Sequence, residues 1–211
     1  MSYKLLDLFC GAGGCSEGYR SAGFEVVGVD IKPQPNYPFR FILGDALTVA
    51  KGLQDDFDVL HASPPCQAFT KARKLQGNKH VNLIPKTRSF LQSTGKPWCI
   101  ENVPGSPLVN PVELCGLMFD LKLYRHRLFE TNFYLPSPNH PDHKFPLCKM
   151  GRPAKDNEVL HIVGHFSGVP RARKDMGIPW MSQSELAQAI PPAYTKYIGE
   201  QLIAVLNKES G

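Results

Sequence analysis

Several common signatures are missing from this chain of 211 residues. No apolar run approaches the roughly 20 residues that a membrane-spanning helix needs. Lys4-Leu5-Leu6-Asp7-Leu8-Phe9 reads as a strand almost from the first residue. A cytoplasmic protein without a signal peptide is therefore expected. The six cysteines, Cys10, Cys15, Cys66, Cys99, Cys115 and Cys148, contain no Cys-x-x-Cys pair. They read as reduced thiols rather than a disulfide framework. The lysine-containing phosphate loop is absent, which disfavours ATP hydrolysis. There are no internal repeats and no low-complexity tracts. Acidic residues are absent from Ala68 to Arg88, a stretch that carries Lys71, Arg73, Lys74, Lys79, His80, Lys86 and Arg88. It reads either as a solvated surface loop or as a basic loop that closes over a phosphate backbone.

What is present is ordinary for a globular protein: 42% hydrophobic and 20% charged residues. The net charge of +5 permits a polyanionic partner without demanding one. The length suits one domain, or one domain with an insert.

Short apolar segments alternate with helical or loop segments, which predicts an α/β domain with a mostly parallel sheet. Strands are expected over residues 4–9, 24–30, 39–43, 57–62 and 97–100, with a helix from Ser16 ended by Gly23. Residues 123–129 read as a further strand, with Arg125 and Arg127 on one face. Residues 131–180 are rich in proline, glycine, histidine and basic residues and read as a small irregular insert. Helical character returns from Ser182 to Leu206.

The candidate chemistry gathers at strand ends. Asp7-Leu8-Phe9-Cys10-Gly11-Ala12-Gly13-Gly14 runs from a strand into a glycine-rich turn, where Gly11, Gly13 and Gly14 allow close approach of a ligand and tight packing. Asp30 ends the next strand about 20 residues later, where a carboxylate can accept from ribose hydroxyls. Asp45 ends the third and can accept from an adenine amino group. Cys66, in Ser63-Pro64-Pro65-Cys66-Gln67, follows the fourth, and Glu101 follows the fifth. Ligands and catalysts of open α/β sheets collect on that edge. A thiol, a carboxyl and an arginine pair on one rim can form a nucleophilic site beside an adenosyl cofactor.

These blocks, with Val29-Asp30, Gly44-Asp45, Glu101-Asn102-Val103, Arg125-His126-Arg127 and Ala189-Ile190-Pro191-Pro192, occur in the order of one family. The chain resembles the DNA cytosine-5 methyltransferases, and looks nearest to their compact phage-encoded members. The resemblance implies a Rossmann-like S-adenosylmethionine-dependent methyltransferase fold. Residues 1–130 and 181–211 would form the catalytic, cofactor-binding domain, and residues 131–180 a reduced target-recognition lobe. It implies catalytic roles for Cys66, Glu101, Arg125 and Arg127, acting on a cytosine flipped out of double-stranded DNA. It implies that Phe9, Gly11, Gly13, Gly14, Asp30, Ile31, Asp45, Pro65 and Gln188 hold S-adenosylmethionine. A monomer with no membrane partner is expected. Methylation of a free pyrimidine nucleotide or RNA, and a non-catalytic DNA-binding relative, are the alternatives.

The chain departs from the family pattern at three points. Ser63 stands where glycine is usual, Leu123 where a glutamine opens the arginine motif, and Ala187-Gln188 where Gly-Asn is usual. The short lobe predicts short or relaxed sequence specificity. Its Lys144, Lys149, Arg152, Lys155, Arg171, Arg173 and Lys174 are candidate phosphate contacts. His140, His143, Cys148, His161 and His165 include pairs spaced as zinc ligands can be. Such mixtures in proline-rich loops are commonly incidental, and no metal is assigned among the site residues.

Overall fold

The computed structural model describes residues 2–65, 81–149 and 151–209. Seven strands form one sheet: β1 (Lys4–Leu8), β2 (Glu25–Asp30), β3 (Arg40–Leu43), β4 (Val59–Ala62), β5 (Trp98–Asn102), β6 (Val112–Leu114) and β7 (Arg127–Thr131). The spatial order is β3-β2-β1-β4-β5-β7-β6. The first five are parallel to their neighbours, and β7 is antiparallel to both β5 and β6. Every residue of β4 and β5 is buried. Burial on both faces is why such strands read as near-continuous apolar runs rather than as alternation.

The helices are α1 (Gly14–Ala22), α2 (Ala46–Leu53), α3 (Ile84–Ser93), α4 (Val169–Met176), α5 (Gln183–Gln188) and α6 (Pro192–Glu209). Gly23 ends α1 in the left-handed conformation at φ 110°, as its residue type predicts. Tyr19 of α1 and Tyr194, Ile198 and Leu202 of α6 cover one face of the sheet. Leu47 and Ala50 of α2 and Phe90 and Leu91 of α3 cover the other. Order reverses between β1 and β4, so the crevice at their C-terminal ends is the natural ligand edge of this fold.

Two expectations change. The last strand begins at Arg127, not at residue 123, because Leu123 is drawn aside into an isolated bridge with Leu160 and is buried. The 131–180 segment contains α4 and an apolar cluster of its own: Leu160, Ile162, Phe166, Ala172 and Met176 pack with Leu186 and Ala189. Its Trp180 donates an indole hydrogen bond to the Ala12 carbonyl at 2.9 Å, which ties the segment to the glycine turn.

Helices α1 and α6 touch backbone to backbone. A Cβ on Gly18 would overlap Thr195 Oγ1 and the Pro192 carbonyl. Thr195 Oγ1 also donates to the Cys15 carbonyl at 2.8 Å. Gly18→Ala should therefore destabilise the fold by about 1–3 kcal/mol through overpacking. Denaturant unfolding would check this, and an unchanged midpoint would contradict the close approach.

Candidate active site

The turn after β1 is built from unusual backbone. Phe9 has φ 60°, Gly11 φ 50° and Gly13 φ 85°. The Gly11 amide donates to Asp30 Oδ2 at 3.1 Å, and the Lys32 amide to Asp30 Oδ1 at 3.0 Å. A carboxylate has about four acceptor positions, so Asp30 keeps capacity for a diol. A Cβ at Gly11 would meet nothing within 4 Å, so the space beside it is open. Ile31 is 67% exposed beside Asp30, and Phe9 is half-buried. An acceptor, an open glycine backbone and an exposed apolar side chain suit an adenosine group.

The other two glycines serve the protein's own packing. A Cβ at Gly13 would lie 3.0 Å from the Tyr37 ring, and one at Gly14 2.7 Å from the Ile190 carbonyl. Asp45 caps α2: its Oδ1 accepts from the Thr48 hydroxyl at 2.7 Å and from the Thr48 amide at 2.9 Å. Those bonds, the hydroxyl first, hold its carboxyl below the usual range.

Glu101 lies in β5, 6% exposed, and meets Arg127 of β7 across the antiparallel pair. Arg127 Nε is 3.0 Å from Glu101 Oε1. Burial pushes the Glu101 carboxyl up, opposed by the Arg127 and Arg125 guanidiniums and by a hydrogen bond from Ser63. Ser63 is part of a buried chain. Its Oγ is 3.0 Å from His61 Nε2, and His61 Nδ1 is 2.9 Å from the Tyr19 hydroxyl. Burial drives His61 down to about 3, so the ring is neutral. With Tyr19 donating to Nδ1, the Nε2 hydrogen goes to Ser63, whose hydroxyl hydrogen then points at Glu101.

Asn102 Nδ2 donates to the Pro64 carbonyl at 2.9 Å, fixing the turn that presents Pro65 to solvent. Cys66 lies outside the described residues, as do Lys71, Arg73, Lys74, Lys79 and His80. Arg125 does not share a strand face with Arg127. Its guanidinium donates to the carbonyls of Ala187, Ala189 and Ile162, each at 2.7 Å, and knits the start of β7 to α5 and the insert. Gln188 ends α5 and is exposed. Between the arginine segment and the insert lies a cavity of about 220 Å³, lined by Arg125, His126, Arg127, His161 and Ile162 among others.

Several cations expected at phosphates are already committed. Arg88 forms a two-pronged pair with Glu130 at 2.6 and 2.7 Å. Arg152 pairs with Glu158, Arg171 with Asp175 at 3.3 Å, and Arg173 donates to the Met181 carbonyl at 2.7 Å. Lys86, Lys144, Lys149, Lys155 and Lys174 are exposed.

Sequence reasoning passed over Asp7. It is fully buried in β1, with Oδ2 accepting from Ser16 Oγ at 2.5 Å and Oδ1 without a partner. Ser16 Oγ also meets the Tyr37 hydroxyl at 2.8 Å. An acidic residue inside the apolar run Leu5-Leu6-Asp7-Leu8 was the available signal.

The sheet order and the ligand edge define an S-adenosylmethionine-dependent methyltransferase fold. A crystal structure described as a putative DNA modification methyltransferase encoded within a prophage of E. coli superposes with TM-score 0.69 and 14% identity, covering 98% of this chain and 100% of that one. Residues 3–106 match the family model of C-5 cytosine-specific DNA methylases. It is 30% identical over 120 residues to the type II methyltransferase M.AgeI of Thalassovita gelatinovora, covering 48% of this chain and 28% of that protein. It is 37% identical over 92 residues to M1.HphI of Haemophilus parahaemolyticus, covering 36% and 24%. The chain thus spans about a quarter of the length of these curated relatives.

Burial raises the Asp7 carboxyl from 3.8 to about 7, against the Ser16 hydrogen bond. The neutral form is favoured on folding, so this contribution to stability is full below about pH 4 and is lost as pH rises towards 7. Wild type should lose about 4 kcal/mol over that interval through this group. Asp7→Asn should remove that part of the slope in unfolding free energy. Parallel pH profiles for the two proteins would contradict the assignment.

Proposed function

We propose that the chain is a DNA cytosine-5 methyltransferase that uses S-adenosylmethionine and a covalent Cys66 adduct. The observation that carries this reading is Glu101: a buried carboxyl with a raised pKa, held by Arg127 on the rim that Pro64 and Pro65 also reach. Residues 1–130 and 181–211 act as the catalytic domain, and residues 131–180 as a reduced recognition lobe that contacts duplex DNA. The exposed Tyr134, Phe145 and Leu147 and the exposed lysines of that segment support such a contact.

In this reading a target cytosine is flipped from the duplex into the site. The Cys66 thiolate adds to ring carbon 6, which breaks the carbon 5–carbon 6 double bond and leaves carbon 5 as the nucleophilic end of an enamine. Glu101, in its protonated form, holds N3 and the exocyclic amine and stabilises the charge that develops there. Arg127 fixes the Glu101 carboxyl, and Arg125 acts through the backbone rather than at the base. Asp30 holds the cofactor's ribose, with Phe9 and Ile31 against the adenine and Gly11 allowing close approach. Asp45, through its second carboxylate oxygen, lies towards the adenine amino group, and Pro65 and Gln188 border the site. When bound, S-adenosylmethionine supplies an electrophilic methyl group on a sulfonium. Carbon 5 would take the methyl with S-adenosylhomocysteine as the leaving group, and loss of the carbon 5 proton to a base with elimination of the Cys66 thiolate would restore the aromatic ring.

The test is transfer of labelled methyl to duplex DNA, with base-level mapping. Incorporation at cytosine carbon 5 in a short recurrent context is expected. Cys66→Ser should abolish turnover while cofactor affinity stays near wild type; normal turnover in that variant would refute the covalent route. Asp30→Ala should weaken cofactor binding about tenfold or more, by loss of a charged acceptor. Calorimetric titration would measure it, and unchanged affinity would remove Asp30 from the cofactor site. Incorporation into RNA or free pyrimidine nucleotides, but not DNA, would change the substrate assignment.

A further inference from the structure

The segment from 132 to 146 has no helix or strand, and Leu135 is its only buried residue. Apolar burial alone gives it little to hold it against the sheet. Yet it brings His140 and His143 onto the edge formed by β6 and β7. Cys115 directly follows β6 and is fully buried, and His126 directly precedes β7. One ligand atom from each of Cys115, His126, His140 and His143 lies within 4.8 Å of all the others.

The spacing is that of a coordination sphere. His126 Nε2 is 3.4 Å from His140 Nε2, and Cys115 Sγ is 3.4 Å from His143 Nε2. Zinc bonds of about 2.0–2.1 Å to nitrogen and about 2.3 Å to sulfur give tetrahedral edges of about 3.4 and about 3.5 Å. The surroundings orient the ligands. His140 Nδ1 donates to the Pro141 carbonyl at 2.9 Å, which leaves Nε2 as the lone-pair nitrogen facing the cluster. Tyr124 stacks on the His143 ring at 3.8 Å and 4°. Glu113 Oε1 lies 4.0 Å from His126 Nε2 and adds negative charge beside the cluster. Without a cation, imidazole lone pairs would be aimed at one another.

We infer that Cys115, His126, His140 and His143 bind one zinc ion as a closed, four-ligand structural site. One thiolate and three imidazoles suit zinc and disfavour calcium or magnesium, which take oxygen ligands. The ion staples residues 132–146 to the sheet, as small regions with little core require. It also anchors His126, whose carbonyl accepts from Arg127 Nη1 at 2.8 Å, next to the Glu101 pair. The sequence grouping of His140 and His143 with Cys148, His161 and His165 is replaced. The Cys148 thiol donates to the carbonyls of Lys149 and Arg152 at 3.2 and 3.4 Å, and neither His161 nor His165 joins a metal-competent group among the described residues.

The experiment uses tag-free full-length protein and elemental mass spectrometry. One zinc per chain is expected, falling to near zero in His143→Ala and Cys115→Ser and retained in His161→Ala. Apo protein titrated with cobalt(II) should show the intense visible bands of a tetrahedral ion together with a thiolate-to-cobalt charge-transfer band. That measurement needs only the wild-type chain, so an unfolded variant does not leave the question open. Failure of apo protein to take up one zinc, weak octahedral cobalt bands, or a folded Cys115→Ser protein with an unchanged cobalt spectrum would each overturn the assignment. Zinc uptake is read independently of methyl transfer, so failure of either reading leaves the other standing.

Discussion

The Glu101–Arg127 pair is the constraint around which the ligand edge is arranged. A carboxyl that is 6% exposed favours its neutral form, and a guanidinium 3.0 Å away favours its charged form. The balance leaves the group raised yet still paired. Removing one partner of such a pair strands a buried charge, which typically costs more than the pair itself contributes. The topology makes the pair possible. β7 runs antiparallel beside β5, so its first residue, Arg127, lies at the end where β5 delivers Glu101. A parallel neighbour would need a long crossover before it could present a side chain there.

Two further networks hold this pair in place. On one side, Tyr19, His61 and Ser63 run through the core to the Glu101 carboxyl. Ser63, where family members usually carry glycine, closes that chain, so its hydroxyl has a physical role. On the other side, Arg125 spends its guanidinium on three carbonyls that belong to the insert and to the α5–α6 junction. Both arginines of the motif act on Glu101 electrostatically; Arg127 also meets the carboxyl directly, and Arg125 also holds the scaffold beside it.

The parallel strands were legible in the sequence because each is a short apolar run ending in a turn or a carboxylate. Asp30 and Glu101 were legible as carboxylates at strand ends for the same reason, since a strand end fixes where its side chains emerge. Local patterns said less about the 131–180 segment, whose cluster joins Leu160 and Met176 to Leu186 and Ala189 and whose only helix among the described residues is α4. Some residues have two uses, of which local patterns show one more readily than the other. Asp45 reads as a ligand acceptor and also caps a helix, and the tight packing expected of Gly13 and Gly14 is against Tyr37 and Ile190. Arg88, Arg152 and Arg171 read as free cations, and their carboxylate partners were visible only in three dimensions. Spacing along the chain identified His140 and His143 as a pair, but the other members of their cluster arrive from strand ends 14 to 28 residues earlier.

The contact between α1 and α6 has a consequence for synthesis. Helix α1 is made long before α6, and its glycine-lined face is complete only when Thr195 reaches the Cys15 carbonyl, 180 residues later. Closing so long a loop is slow relative to local helix formation. The apolar sheet face that α6 covers stays open until α6 has been made, and an open apolar face of that kind is prone to aggregate.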